Sequence, residues 1–262
     1  MNASNTSIKR YVLEYDEFVR SVDCGINMGI RVFHLSSGEN TVLEEKLLCK
    51  MITYIKEKGC KVILVVGNKP YRILEQYKNT GADTFISKFE TSNSWLYNEY
   101  NNKNGNLELR LNYLKKLRDI GFLIGTGNII GLPFQRDSVL LNDLLLLKKI
   151  NPSQASTSRF VSSKYSAYSN FESGSINKTK NFIALMRIML NDETIIPTNS
   201  SIGKVEKYEM LLGGANLLSI NLTPDDKYKN YVIYNDETRC KLIVSEYIER
   251  LNEMGLELEY IF

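Results

Sequence analysis

LEEKLLCKMITYIKEKGCKVILVV, residues 43–66, holds one helix and one strand in immediate succession. Leu43, Leu47, Leu48, Met51, Ile52 and Ile55 share one helical face, while Glu44, Glu45, Lys46, Lys56 and Glu57 lie mostly elsewhere. Gly59 stands just past that stretch, where a left-handed residue closes a helix. KVILVV, residues 61–66, then reads as a buried strand. The punctuation recurs. Pro70 opens the next helical stretch and Gly81 stops it. Gly121 and Gly213-Gly214 each separate an amphipathic stretch from an apolar run.

Seven strands emerge on this pattern: RVFHL, KVILVV, DTFISKF, FLIGTGNII, SQASTSRFV, TIIPTN and NLLSINL. They begin near residues 31, 61, 83, 122, 153, 194 and 216. Their mean spacing of about 31 residues is the length of one βα unit. Strands alternating with helices predict a parallel sheet. Seven consecutive units predict an α/β fold of the (β/α) TIM-barrel type rather than a doubly wound sheet. An ordinary barrel has eight strands. Here a helix over about residues 14–27 comes first, and the strand expected before it is missing; IKRYVLEY, residues 8–15, is a poor substitute. The expectation is one incomplete barrel over residues 1–262, with residues 1–8 a polar, flexible tail. Residues 225–240, rich in Tyr, Lys, Asn and Asp, read as a surface loop before the last helix.

Bulk properties narrow the class. The 262 residues are 43% hydrophobic and 24% charged, with net charge +3. That balance gives no footprint for nucleic acid or a membrane surface. The longest leucine block, Leu144 to Leu147, lies between Asp143 and Lys148, too short to cross a bilayer. The N-terminus lacks a signal-peptide core. Cys24, Cys49, Cys60 and Cys240 show no CxxC spacing and read as free thiols in a reducing cytoplasm. A single histidine, His34, excludes a His-rich zinc site and argues against a Ser-His-Asp triad.

Barrel chemistry sits where strands end. The first strand ends in Ser36-Ser37-Gly38-Glu39, the second in Gly67-Asn68-Lys69, the third in Lys88-Phe89-Glu90-Thr91. Glu39, Lys88, Glu90 and the helical Arg110 place two carboxylates and an arginine across one mouth. That set suits a zwitterionic ligand with both ammonium and carboxylate. Gly125, Gly127 and Gly131 either let backbone approach something flat or serve tight packing. Ser156, Ser158, Arg159, Thr198, Asn199, Asn221 and Thr223, on the last three strands, suit a small polar substrate.

Taken in order, KRYVLEYDEFV, FHLSSGEN, GADTFISKFETSN, LRLNYLKKLRDIGFLIGTGNIIGLPFQ, ALMRIMLNDETIIPTNSSIG and LLGGANLLSINLTP resemble the radical S-adenosylmethionine (SAM) enzymes. The resemblance is to the branch holding biotin synthase, methylornithine synthase and the FeFe-hydrogenase maturase that looks like them. It implies SAM as cofactor. Ser37-Gly38-Glu39 matches a motif that clamps the ammonium of SAM. Glu90 falls where that branch has a glutamate on the ribose. Arg110 matches an arginine on the methionine carboxylate. Asn128 to Leu132, with Asn128, Ile130 and Leu132 as the named contacts, match the stretch beside adenine. Histidine is common just before the Glu90 position; here it is Phe89. Lys88 and Glu90 are the candidate catalytic residues, Lys88 as base or Schiff-base lysine.

The departure is the family's CxxxCxxC loop, whose thiolates hold a 4Fe-4S cluster. None of the four cysteines is so spaced, so no cluster is expected in this chain. The primary expectation is a SAM-binding enzyme without its own cluster, performing non-radical chemistry. The alternatives are a non-catalytic partner subunit and an N-terminally truncated radical SAM enzyme. Open sheet edges invite a homodimer or partner chain to cover them.

Overall fold

Five parallel strands follow one another around a curled sheet in the order β1-β2-β3-β4-β5. The computed structural model describes residues 11–37, 45–101, 103–163, 166–198, 201–228 and 244–258. The strands are β1 (Val32–Ser36), β2 (Lys61–Val65), β3 (Thr84–Ile86), β4 (Leu123–Ile130) and β5 (Gln154–Arg159). Around them run α1 (Tyr15–Asn27), α2 (Glu45–Glu57), α3 (Tyr71–Asn79), α4 (Ser94–Tyr100), α5 (Leu107–Asp119), α6 (Asp137–Ile150), α7 (Ile176–Met189), α8 (Lys204–Leu212), α9 (Asp225–Tyr228) and α10 (Val244–Glu253). The fold is α/β, a half-barrel of the incomplete TIM type.

Each strand turns alternate residues to the helices and to the lumen. Phe33, Val62, Leu64, Phe85 and Ile124 pack with Leu48, Ile52, Ile55, Ile73, Leu74 and Leu117 of the helical layer. His34, Ile63 and Thr84, paired across the ladders, therefore face the lumen. A second cluster joins Ile130 and Ala155 to Leu144, Leu147, Phe182, Ile183 and Met186. The helices close where glycines adopt left-handed backbone, Gly59 at φ 71° and Gly121 at φ 99° among them.

The sixth and seventh predicted strands are present as single parallel bridges, Gln154 to Ile195 and Pro197 to Leu217. Pro197 has no N–H to offer a ladder. The Asn216 side chain intrudes as well, its Oδ1 accepting from Ile196 N at 2.7 Å. The curl then brings the chain back to α1: Lys227 lies 3.6 Å from Glu17, and Leu222 crowds Gly25 and Phe33. Residues 11–14 form no strand, and the remainder of the 1–10 tail lies outside the described residues. Of the predicted 225–240 loop, residues 225–228 form α9 and the rest lie outside the described residues. No helix among the described residues is long and apolar enough to cross a membrane.

Candidate functional site

The segments after β2 and β3 meet the first turn of α5 through Arg110, and the segment after β3 meets β4 and β5 through Glu90 and Lys88. Arg110 projects from the first turn of α5, which Asn106 caps by accepting from Leu109 N. Its Nε donates to Tyr97 Oη at 2.9 Å, and its Nη1 to Asn68 Oδ1 at 2.8 Å and to Ser87 Oγ. The guanidinium is half-buried and tied to three separate segments. All three acceptors are neutral.

Lys88 follows Ser87 and faces the lumen. Its ammonium donates to Ser158 Oγ at 3.0 Å and lies 3.3 Å from Glu90 Oε2. The second contact is an ion pair off the hydrogen-bonding direction, since that buried oxygen accepts no hydrogen bond. Glu90 has left-handed backbone, φ 62°. A non-glycine residue held there is strained, and such strain concentrates at ligand clamps and active sites. Its N–H donates to Gly127 O at 2.9 Å and its carbonyl accepts from Ile129 N at 2.8 Å, so the turn is locked to β4.

Gly38 and Glu39, expected at the ammonium, and Asn199, expected at the substrate, lie outside the described residues. Ser37 extends β1, its N–H donating to Val65 O at 3.2 Å. Asn128, Ile130 and Leu132 require a correction. Asn128 is fully buried and donates from Nδ2 to Asp143 Oδ2 at 2.9 Å. Ile130 belongs to the second apolar cluster and Leu132 is buried. These side chains turn away from the mouth because alternation gives the lumen face of β4 to Gly125, Gly127 and Ile129. Any contact from Asn128 or Ile130 to a ligand is left to backbone.

The glycines are explained by packing. A Cβ on Gly125 would lie 2.5 Å from Ile86 Cγ1; one on Gly127 would overlap the Ser156 carbonyl; one on Gly131 would strike Gly174. The close neighbours are strand and loop, not the helix. Arg159 is also corrected: its Nε and Nη2 donate to Ser201 O and its Nη1 to Gly174 O, so it staples loops rather than facing substrate. Ser156 and Ser158 are on the lumen face, opposite Ala155. Thr198 donates its N–H to Leu217 O at 2.9 Å. Asn221 accepts from Thr223 N at 2.9 Å, a local turn preceding α9.

Sequence reading missed Asp143, which is fully buried. Its signal was available: it lies four residues from both Val139 and Leu147, on the apolar face of α6. Burial pushes its carboxyl above the usual aspartate range, opposed by hydrogen bonds from Asn128 and Ser92. His34 stands in the lumen with its pKa lowered to about 4 by burial, although water reaches its ring.

The described cysteines do not fit an iron–sulfur cluster. Cys24 is exposed on α1, Cys49 lies on α2, and Cys60 is buried before β2. Burial raises the Cys60 thiol, against the thiolate a metal needs. Among the described residues no group of three His, Cys, Asp or Glu could hold a metal ion. What lines the rim is a guanidinium held by three neutral acceptors and an ion-paired Lys88–Glu90 couple on a left-handed turn.

The sequence model of the Radical SAM superfamily matches residues 2–147. The [FeFe] hydrogenase maturase subunit HydE of Thermotoga maritima is 28% identical over 261 residues, covering 96% of this chain and 74% of that protein. Among solved structures, methylornithine synthase (PylB) superposes with TM-score 0.84 at 20% identity, over 98% of this chain and 76% of its own. The maturase HydG gives TM-score 0.80 at 17% identity, over 97% and 59%. With more than half its length matched by the superfamily model, this chain belongs to the radical SAM superfamily.

Proposed function

We propose that this chain binds SAM across the mouth of its half-barrel and acts on a small polar substrate in the lumen. The observation that carries the reading is Arg110, a half-buried guanidinium aimed by Tyr97, Asn68 and Ser87 and paired with no carboxylate among the described residues. Three neutral acceptors fix its direction without cancelling its charge. The methionine carboxylate of SAM supplies the missing anion through charge-assisted hydrogen bonds. Glu90 takes the ribose hydroxyls, Ser37, Gly38 and Glu39 the ammonium, and the backbone of 128–132 with Ile129 lies beside adenine.

In this reading the chain works without a cluster of its own, and SAM reacts as a sulfonium by group transfer, elimination or hydrolysis. Such chemistry needs positioning and electrostatics rather than an electron. Lys88 and Glu90, 3.3 Å apart, form the acid–base pair. Ser156, Ser158, Thr198, Asn199, Asn221 and Thr223 face the substrate.

Calorimetric titration of SAM into iron-free protein tests the reading. Micromolar binding by the parent, weakened in Glu39→Gln and Arg110→Ala, supports it. Absence of binding sinks it and points to a partner subunit. Superfamily membership favours a second reading, radical cleavage of SAM with cluster thiolates from outside this sequence. Products separate the two after the chain, together with the segment or partner that supplies the thiolates, is reconstituted anaerobically with iron and sulfide and reduced with dithionite. 5′-Deoxyadenosine with methionine marks the radical route; S-adenosylhomocysteine or methylthioadenosine marks the polar one.

A further inference from the structure

Asp143 is a buried ionisable group that the SAM reading leaves without a task. It is fully enclosed on the apolar face of α6, and no cation pairs with it among the described residues. An enclosed carboxyl is retained against its desolvation only where donors hold it. Two do. Oδ1 accepts from Ser92 N at 2.6 Å, and Oδ2 accepts from Asn128 Nδ2 at 2.9 Å.

These donors flank one residue. Ser92 is two residues past Glu90 in the chain, and Asn128 pairs with Glu90 as an isolated parallel bridge. The carboxyl thus joins the exit of the Glu90 turn to the strand position opposite Glu90. Glu90 itself is left-handed, φ 62°. Such a conformation persists in a residue with a side chain only when its surroundings over-determine it. The Gly127 and Ile129 hydrogen bonds hold Glu90 from the strand side, and the Asp143 strap holds the turn where it leaves. Asn128 adds a directional constraint. Its Oδ1 is buried without a hydrogen-bond donor, so the amide's one side-chain bond is the one to Asp143.

We infer that Asp143 is a positioning residue that sets the direction of the Glu90 carboxylate through Ser92 and Asn128. This rests on the reading of Glu90 as a SAM contact, but only for its consequence in binding; the geometric claim concerns the turn alone.

The test uses Asp143→Leu, Asn128→Asp and the exchange of Asp143→Asn with Asn128→Asp. Asp143→Leu removes both acceptors, and Asn128→Asp sets two carboxyls against each other. The exchange restores both bonds, with Asn at 143 accepting from Ser92 N and donating to Asp at 128. Two measurements are made on each protein. Amide hydrogen exchange by NMR should quicken about tenfold at Glu90 and Ser92 in Asp143→Leu, with β1–β2 amides unchanged, and return toward parent rates in the exchange variant. Calorimetry should show SAM affinity falling about tenfold, in the range typical of supporting residues, while free methionine, which meets Arg110 and not Glu90, changes less than about twofold. Unchanged exchange at Glu90 and Ser92, or equal quickening throughout the sheet, overturns the positioning role whatever SAM does. Equal losses for SAM and methionine overturn it in favour of a general structural role. A parent that binds no SAM defeats the SAM reading, and the exchange rates still decide the role of Asp143.

Discussion

Replacing Gly127 by alanine should unfold the sheet rather than empty a ligand site. The added Cβ would overlap the Ser156 carbonyl oxygen, lie 2.6 Å from its carbon and 3.0 Å from Ser156 N. All are backbone atoms of the neighbouring strand, which cannot rotate aside. Relief requires β4 and β5 to separate by roughly 1 Å or more, enough to break the hydrogen bonds on either side of the contact. Those bonds belong to the ladder that pairs Gly125–Ile130 with Gln154–Arg159. Two broken ladder bonds, each leaving buried groups unsatisfied at about 1–3 kcal/mol, plus overpacking strain of about 1–3 kcal/mol, sum to roughly 3–9 kcal/mol. That approaches the whole stability of an ordinary domain, about 5–15 kcal/mol. Two controls grade the argument. Gly125→Ala meets only the Ile86 side chain, 2.5 Å away, and should cost about 1–3 kcal/mol as Ile86 repacks. Gly59→Ala meets nothing within 4 Å and should lose only the left-handed preference, about 1–2 kcal/mol. Urea unfolding followed by circular dichroism measures all three. If Gly127→Ala unfolds within about 1 kcal/mol of the parent and loses SAM affinity instead, the packing explanation is wrong and the glycine serves a ligand.

Arg110→Lys keeps the charge but cannot reach Tyr97, Asn68 and Ser87 together; SAM affinity should fall about tenfold, less than in Arg110→Ala, and calorimetry giving equal losses would refute the scaffolded-fork argument. His34 is the chain's one histidine, so a single imidazole resonance reports it. Its midpoint should lie at about 4, and a midpoint near 6.5 would show that open water governs the ring. The unfolded chain takes that proton first, so the His34 contribution to stability is lost as pH falls from about 6.5 toward 4. Asp143 has the opposite sign. Its folded carboxyl holds a proton more tightly than the unfolded one, so the stability linked to that shift is complete below about pH 3.9 and lost as pH rises through the folded value. The unfolding free energy of Asp143→Asn relative to the parent should therefore improve between acid and neutral pH, and a falling difference would contradict the burial argument.

Much of the architecture was written in local signals. The helix 45–57 and strand 61–65 fall where apolar spacing and Gly59 put them, because a helix end, a left-handed glycine and a buried strand each carry their own chemistry. The sixth and seventh staves kept their places but not their ladders, since a missing Pro197 N–H and an intruding Asn216 amide are details of pairing that periodicity does not report. The seven-residue helix Ser94–Tyr100, capped by Asn93, hid inside a polar stretch too short to show a period. At the site, Lys88 and Glu90 were legible as charges at a strand end and Arg110 as a charge on the helix before β4. What holds them was not. Asn128 looked like a ligand contact until strand alternation turned it toward α6, and Arg159 looked like substrate machinery until its donors were found on loop carbonyls. Side-chain direction depends on register, and register is a property of pairs of strands.

The strand order also bears on how the molecule forms. Every strand pairs with its neighbour in sequence, so each ladder can close soon after its second strand leaves the ribosome. The apolar contacts fall into two groups, one built around β1–β3 and α2–α3, the other around β5, α6 and α7. β3 leads from the first to the second: Phe85 is part of the former and Phe89 of the latter. Lys88 and Glu90 sit at that crossing, and Glu90 gains its strand partner only when β4 arrives. The first group itself takes Phe122 and Ile124 at the start of β4, so one strand completes that core and fixes the Glu90 turn. The geometry that relates Lys88 to Glu90 is therefore a late product of folding, set by β4 and β5 together.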